Sequence, residues 1–264
     1  MTTVLRFLVL FSVVIAAGLV TFELVREPRF GAVIPVPREP VLPDLVTLPL
    51  TDVIVGTDER SGEEALRFTA TIANVGPGTL SVEARRESGS SDRWAVVQWF
   101  DEADGDRTGV RTGANLVFGG HGHEHWHLRF GAAYRLSSVD GTDTIAEQTK
   151  AGYCFFDQVR LDPDVDGAPA GPVFDTRGCG GREMLSVTMG LSVGWTDPYQ
   201  WYLEDQSVTM TGLPDGRYRL TAITDPDGWL RESDETNNET WIELDLGTQA
   251  DGLRTVAVVD ASTP

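Results

Sequence analysis

The chain has 264 residues, 41% of them hydrophobic, which suffices for one principal domain with its own core once the first forty or so residues are set aside. Forty acidic against twenty-one basic residues leave a formal charge of -19. That balance repels nucleic acid and anionic lipid surfaces and favours cationic partners through long-range, salt-dependent steering.

In chain order, Val4 to Phe22 is almost wholly apolar, with Arg6 near its start and Glu23 and Arg26 after it, so residues 1–25 read as a hydrophobic helix serving as signal peptide or membrane anchor. Either role implies export, and without a clear small-x-small cleavage site the reading leans to an uncleaved anchor that keeps the protein at the membrane. Residues 26–41 are proline-rich and predict an extended tether. From residue 42 to 246, short β-branched and aromatic runs predict strands: Leu66 to Ala73, Leu80 to Ala84, Trp94 to Phe100, His125 to Phe130, Tyr153 to Val159, Ser207 to Thr211, Tyr218 to Thr224 and Thr240 to Leu246. Turn signals at Asn74-Val-Gly76-Pro-Gly78 and Gly212-Leu-Pro214-Asp-Gly216 separate them, and no stretch sustains a helical period. The expectation is all-β, a single β-sandwich-like domain with long loops, of which Leu161 to Gly181 is the longest. Residues 247–264 read as a polar C-terminal tail.

All four histidines fall within seven residues, His121-Gly-His123-Glu-His125-Trp-His127. Neutral imidazole suits copper, zinc, iron and nickel. On a straight strand, alternate residues share a face at intervals of roughly 6.6 Å, too far apart for three rings to meet one ion, so the backbone must curl. Gly119, Gly120 and Gly122 give it freedom to do so, while Trp126 should face the other way into apolar surroundings. His123, His125 and His127 are therefore the expected ligands, with His121 as a possible fourth. A solvated histidine-rich loop is the bland alternative. The two cysteines, Cys154 and Cys179, are expected to be bridged outside the reducing cytoplasm, pinning the loop between them.

Other patterns carry less. A cupin site needs a distant histidine, and there is none. Gly190-Leu-Ser192-Val-Gly194 matches a nucleophile elbow in letters but lacks a strand-turn-helix setting. Asp162-Pro-Asp164-Val-Asp166-Gly167 begins like an EF-hand loop, yet Val173 stands where the bidentate glutamate belongs.

His123-Glu-His125-Trp-His127, then Lys150-Ala-Gly-Tyr-Cys154-Phe-Phe-Asp157, then Leu191-Ser-Val-Gly-Trp-Thr-Asp197-Pro-Tyr199 resemble, in that order, the catalytic domain of the copper-dependent lysyl oxidase family. Leu42-Pro-Asp44-Leu45-Val and Glu232-Ser-Asp234-Glu-Thr-Asn237-Asn238 extend the likeness toward both ends. The resemblance implies copper on His123, His125 and His127, and a cross-link of Lys150 with Tyr199 into lysine tyrosylquinone, with Tyr202 as the alternative phenol. It further implies oxidation of primary amines by O2 to aldehydes, with release of hydrogen peroxide and ammonia. Lysine chemistry suits the step because a neutral amine adds to a quinone ring and a guanidinium does not. Twenty of the twenty-one basic residues are arginine, and Lys150 is the one lysine. Asp157 and Asp197 are candidate bases or orienting groups.

Family structures are also expected to hold calcium through Glu232, Asp234, Asn237 and Asn238 together with Asp44 and the carbonyl of Leu45; such hard oxygen donors suit that ion. The chain departs from animal members in its single possible disulfide. The expected function is thus an exported copper amine oxidase acting on cationic primary amines, peptidyl lysine or small polyamines. The alternatives are a membrane-tethered copper-binding β-sandwich without oxidase activity and, third, a zinc hydrolase.

Overall fold

The computed structural model describes residues 40–58, 60–102, 105–119, 124–161 and 165–263, with the side chains of 130 and 149–151 excepted. The apolar segment from Val4 to Phe22, most of the tether, His121, His123, Asp162 and Asp164 lie outside the described residues.

The described chain is all-β, with fifteen strands in three antiparallel sheets and one short 3-10 turn at Thr176–Cys179. The first sheet contains β1 (Leu45–Thr57), β2 (Glu64–Asn74), β11 (Trp195–Tyr199), β9 (Val159–Arg160) and, against β2, β12 (Ser207–Thr209). The second runs β10 (Ser186–Leu191), β3 (Leu80–Arg85), β4 (Ala95–Asp101), β5 (Arg107–Arg111). The third runs β15 (Arg254–Ala261), β14 (Glu239–Thr248), β13 (Gly216–Thr224), β7 (Trp126–Ser138), β6 (Leu116–Phe118), and β8 (Thr144–Tyr153) also pairs with β7. One cluster of buried side chains draws on all three, including Phe68 and Ile72, Val82 and Val96, and Tyr134, Leu220 and Leu244.

Both turn signals hold. Asn74 ends β2 with a side chain that is fully used: Oδ1 accepts the amides of Asp44 and Gly76 at 3.1 Å each, and Nδ2 donates to the carbonyls of Gly78 and Leu191 at 2.8 and 2.9 Å. A Cβ on Gly76 would stand 2.4 Å from the Asp44 nitrogen and one on Gly78 2.2 Å from the Val41 oxygen. These two glycines let the segment 41–44 lie flat on the turn, which fixes where Asp44 sits.

Two expectations need correction. The run from Tyr153 to Val159 is not one strand: β8 ends at Tyr153, and the chain crosses from the third sheet to the first before β9 begins. Its apolar letters from Tyr153 to Phe156 reflect burial during that crossing, with Cys154 and Phe155 at 0% exposure, because burial on all sides erases the alternation that marks a strand. The segment after Gly247 is not a plain tail. β14 reaches Thr248 and β15 pairs with it from Ile242↔Ala261 to Thr248↔Arg254, an exposed outer strand whose valine-rich letters, RTVAVVDA, are set among polar residues on both sides. β8 also lay outside the expected strands: its letters, TIAEQTKAGY, put polar residues together at 147–150 and break the alternation, although its pairing with β7 spans Tyr153 to Thr144.

Candidate functional site

The histidine segment enters the third sheet where β7 begins. Trp126 points into the core as expected: it is 5% exposed, its ring packs edge-on against Trp94 at 4.8 Å and Phe118 at 5.1 Å, and its Nε1–H donates to the Gly181 carbonyl at 3.1 Å. Its anchoring turns the neighbours His125 and His127 the other way. Their ring centroids are 4.5 Å apart with planes tilted by 50°, closer than the roughly 6.6 Å of a straight strand. The required curl is local, because His125 occupies a bend just before β7 starts. Arg86, itself buried, closes this region from below. Its guanidinium lies 4.9 Å from the Trp94 ring and 4.6 Å from the Trp126 ring, and it donates to the carbonyls of Met184, Gly89, Ser91 and Arg182.

β8 runs back along β7 and ends beside the histidines. Gly152 pairs with Arg129, and a Cβ there would stand 2.4 Å from the Cβ of His127, so only glycine lets His127 occupy its place. Lys150 lies two residues earlier, its backbone opposite Ala132, and a register slip separates the two pairings. Tyr153 pairs with Leu128, the residue after His127.

From that end of β8 the phenols begin. The Tyr153 ring lies 4.1 Å from the Tyr199 ring, and the Tyr153 and Tyr134 hydroxyls are 2.7 Å apart. Tyr134 in turn donates to Gln206 Oε1 at 2.7 Å, and Gln206 Nε2 donates to the Tyr199 carbonyl at 2.9 Å. The Tyr199 hydroxyl accepts from the Cys154 amide at 2.8 Å and donates to the Cys154 carbonyl at 3.1 Å. Burial pushes both the Tyr153 and Tyr199 phenols well above the ordinary tyrosine value, with the Asp197 carboxylate adding to the rise at each, while the Cys154 hydrogen bond opposes it at Tyr199. Cys154 is bonded to Cys179, as the cysteine count predicts. Tyr153, Tyr134, Gln206, Gly152 and Arg86 escaped the sequence reading, since nothing in a tyrosine or glycine letter reveals which ring or strand it will meet.

The other residues singled out from sequence divide clearly. Asp157 is saturated: Oδ2 accepts from the amides of Val173 and Phe174 and from the Ser192 hydroxyl, and Oδ1 from the Ser192 amide. It clips the long loop to the end of β10 and orients neighbours. The same bonds absorb Ser192, and the chain runs from β10 through a turn into β11 with no helix, so the Gly-x-Ser-x-Gly letters form no nucleophile elbow. Asp197 is buried and accepts from Gln158 Nε2. Tyr202 is 57% exposed and packs edge-on against Trp201.

A second polar cluster forms where the segment 41–45 meets the loop before β14. Asn237 Nδ2 donates to Asp44 Oδ1 at 2.8 Å, Asn238 Nδ2 donates to Glu232 Oε1 at 2.9 Å, and the Leu45 amide donates to Glu232 Oε2. The side-chain oxygens of Asn237 and Asn238 are buried without a hydrogen-bond partner. Burial raises the Glu232 carboxyl to about 8 against the opposing Leu45 and Asn238 hydrogen bonds. Asp234 is exposed and accepts from the Thr236 amide and hydroxyl at 2.8 and 2.6 Å. Among the described residues no three His, Cys, Asp or Glu side chains converge as a metal site; the histidine set has two members outside them, and this corner draws half its oxygens from amides.

A family model described as lysyl oxidase matches residues 118–251, about half the chain, from the last residue of β6 to the turn before β15. The chain belongs to the lysyl oxidase family. Copper-dependent amine oxidation is the chemistry of that family, the one the histidine, lysine and tyrosine blocks suggested. The matched span holds the histidine segment, Lys150, Cys154, Tyr199 and the loop from Glu232 to Asn238, whereas Asp44 lies before it. A search of curated proteins gave no match.

Proposed function

We propose that this lysyl oxidase family member is an exported, sandwich-like copper amine oxidase that converts primary amines, peptidyl lysine or small polyamines, to aldehydes with release of hydrogen peroxide and ammonia. What carries the reading is the end of β8. Three consecutive positions there bring the strand of Lys150 against His127, through Gly152, and against Tyr199, through the Tyr153 ring and the Cys154 backbone. The three sequence blocks are therefore neighbours in space.

The tilted, closely spaced imidazoles of His125 and His127 fit adjacent positions on one copper ion, with His123 as third ligand and His121 as an additional one. Lys150 and Tyr199 are the cross-link partners; lysine tyrosylquinone would supply an electron-accepting carbonyl for amine oxidation, and copper the means to form it with O2. The chain's own groups do the rest. Trp126 and Arg86 hold the histidine strand, Gly152 makes room for His127, and Tyr153 and Gln206 pack and orient Tyr199. The buried, neutral phenol is kept dry, which protects it until oxidation. The surplus of acidic residues draws cationic amines toward the protein.

Calcium is proposed for Asp44, Leu45, Glu232, Asp234, Asn237 and Asn238. Two orphaned buried amide oxygens beside two carboxylates fit a hard cation with oxygen ligands. As it ties the chain before β1 to the loop before β14, its role would be structural.

Protein matured with copper in air should react with a hydrazine quinone stain, and peptide mapping should recover Lys150 joined to Tyr199. Tyr199→Phe should abolish both the stain and peroxide release. Tight copper binding with no quinone and no peroxide from any amine would instead select the alternative of a membrane-tethered copper-binding domain without oxidase activity.

A further inference from the structure

The hydroxyl of Tyr199 is clipped to the main chain of Cys154. The hydroxyl accepts from the Cys154 amide and donates to the Cys154 carbonyl in a buried setting. Cys154 stands one residue beyond the last β7–β8 pair, where the ladder no longer fixes the main chain. Two ties hold it there: its bond to Cys179, with the two Cα atoms 6.0 Å apart, and, one residue on, the Phe155 carbonyl, which accepts from the Gly190 amide at 3.0 Å.

Cys179 is itself firmly seated. It closes the 3-10 turn whose start is capped by Asp175, and Gly178 beside it packs so tightly on β10 that a Cβ would fall 2.1 Å from the Thr188 carbonyl oxygen. A rigid path thus leads from β10 through the disulfide and the Cys154 peptide groups to the phenol. Lys150 lies four residues back along the same strand, about 13 Å in extended chain.

We propose that the Cys154–Cys179 disulfide is a positioning device for the Tyr199 phenol, fixing the two peptide groups that hold its hydroxyl on the strand that carries Lys150. This rests on Tyr199 being the quinone precursor. Cys154 acts only through Tyr199 and touches no substrate, so it is a positioning residue. The coupling is reciprocal: if the disulfide stabilises the phenol in its clip, the clip stabilises the disulfide by the same factor.

Reciprocity supplies a test independent of copper, quinone and activity. Tyr199→Phe keeps the ring and deletes the hydroxyl that binds Cys154. In a dithiothreitol redox titration its disulfide should be reduced more readily than the wild-type one by roughly fivefold or more, the effect of about one net buried hydrogen bond. Equal reduction equilibria in the two proteins would overturn the proposal. A second arm uses Cys154→Ala with Cys179→Ala, loaded with copper to the wild-type level. Before copper is added, nitration by tetranitromethane should reach Tyr199 in the variant and not in the wild type, and after loading the quinone yield per copper should fall at least about fivefold. Persistent protection with an unchanged yield would overturn it as well. Should the double variant not fold, the redox titration decides alone. A wild-type protein that forms no quinone would remove the oxidase reading, while the titration still tells whether disulfide and phenol are coupled.

Discussion

The histidine–tyrosine junction and the carboxylate–amide corner both join segments far apart in sequence, but they are held by opposite means. At the junction the work is done by rings, a glycine contact and a covalent bond: Trp126 among Trp94 and Phe118, Gly152 under His127, Tyr153 on Tyr199, Cys154 to Cys179. Its packing is formed in the absence of a metal. At the corner the work is done by polar side chains, two of whose oxygens are left orphaned, around a carboxyl raised to about 8 by burial. A hard cation would complete such a corner, as proposed above. Copper should therefore decide activity with little effect on the fold, and calcium should decide stability with little effect on the chemistry.

The largest effect that would break this contrast is at the junction. His127→Ala should weaken copper binding by more than the roughly 10- to 100-fold expected for loss of an outer-shell partner, with amine oxidation lost in parallel, as read by copper titration and peroxide release. Retained copper affinity would remove His127 from the ligand set.

Next comes the corner. The folded, metal-free protein keeps Glu232 protonated up to about 8, whereas the unfolded chain releases that proton near 4.5. Its contribution is therefore complete below 4.5 and lost as pH rises through 8, so thermal stability without calcium should decline across that window, on the order of a few kcal/mol from this group. Calcium requires the ionised carboxylate, so its affinity and the rise in Tm that it confers should both increase over the same interval. Glu232→Gln should flatten the slope and abolish the calcium effect. A melting temperature indifferent to calcium at pH 8 would remove the ion from this corner.

A smaller effect sharpens the junction. Gly152→Ala must push His127 or the β8 backbone aside, at a cost of about 1–3 kcal/mol in denaturant unfolding and with copper affinity reduced roughly tenfold. The smallest separates the two phenols. Tyr202→Phe changes an exposed side chain and should leave quinone yield intact and stability within about 0.5 kcal/mol.

How much of this was legible in the letters follows the same division. The all-β class, both turns and the inward Trp126 were readable because each depends on local patterning. The disulfide followed from cysteine count and compartment. The blocks around His127, Lys150 and Tyr199 could be placed in order but not in space, since their meeting depends on β8, a strand whose broken alternation and one-residue slip against β7 gave no signal. Nor could Asp157 be read as a clip rather than a base, because its four donors come from Val173, Phe174 and Ser192, brought in only by the long loop.

The choice of buried cations has a last consequence. Arg67 and Arg86 each thread a guanidinium into the interior to hold loop carbonyls, Arg67 those of Thr57, Trp201 and Leu203. Lysine could have stretched into either place, yet the chain keeps a single lysine and assigns its internal bracing to arginine. Under the proposed function, a catalyst of primary-amine oxidation would then be built from a cation immune to its own reaction, and neighbouring copies would offer one another no lysine side chain to attack once Lys150 had entered the cross-link.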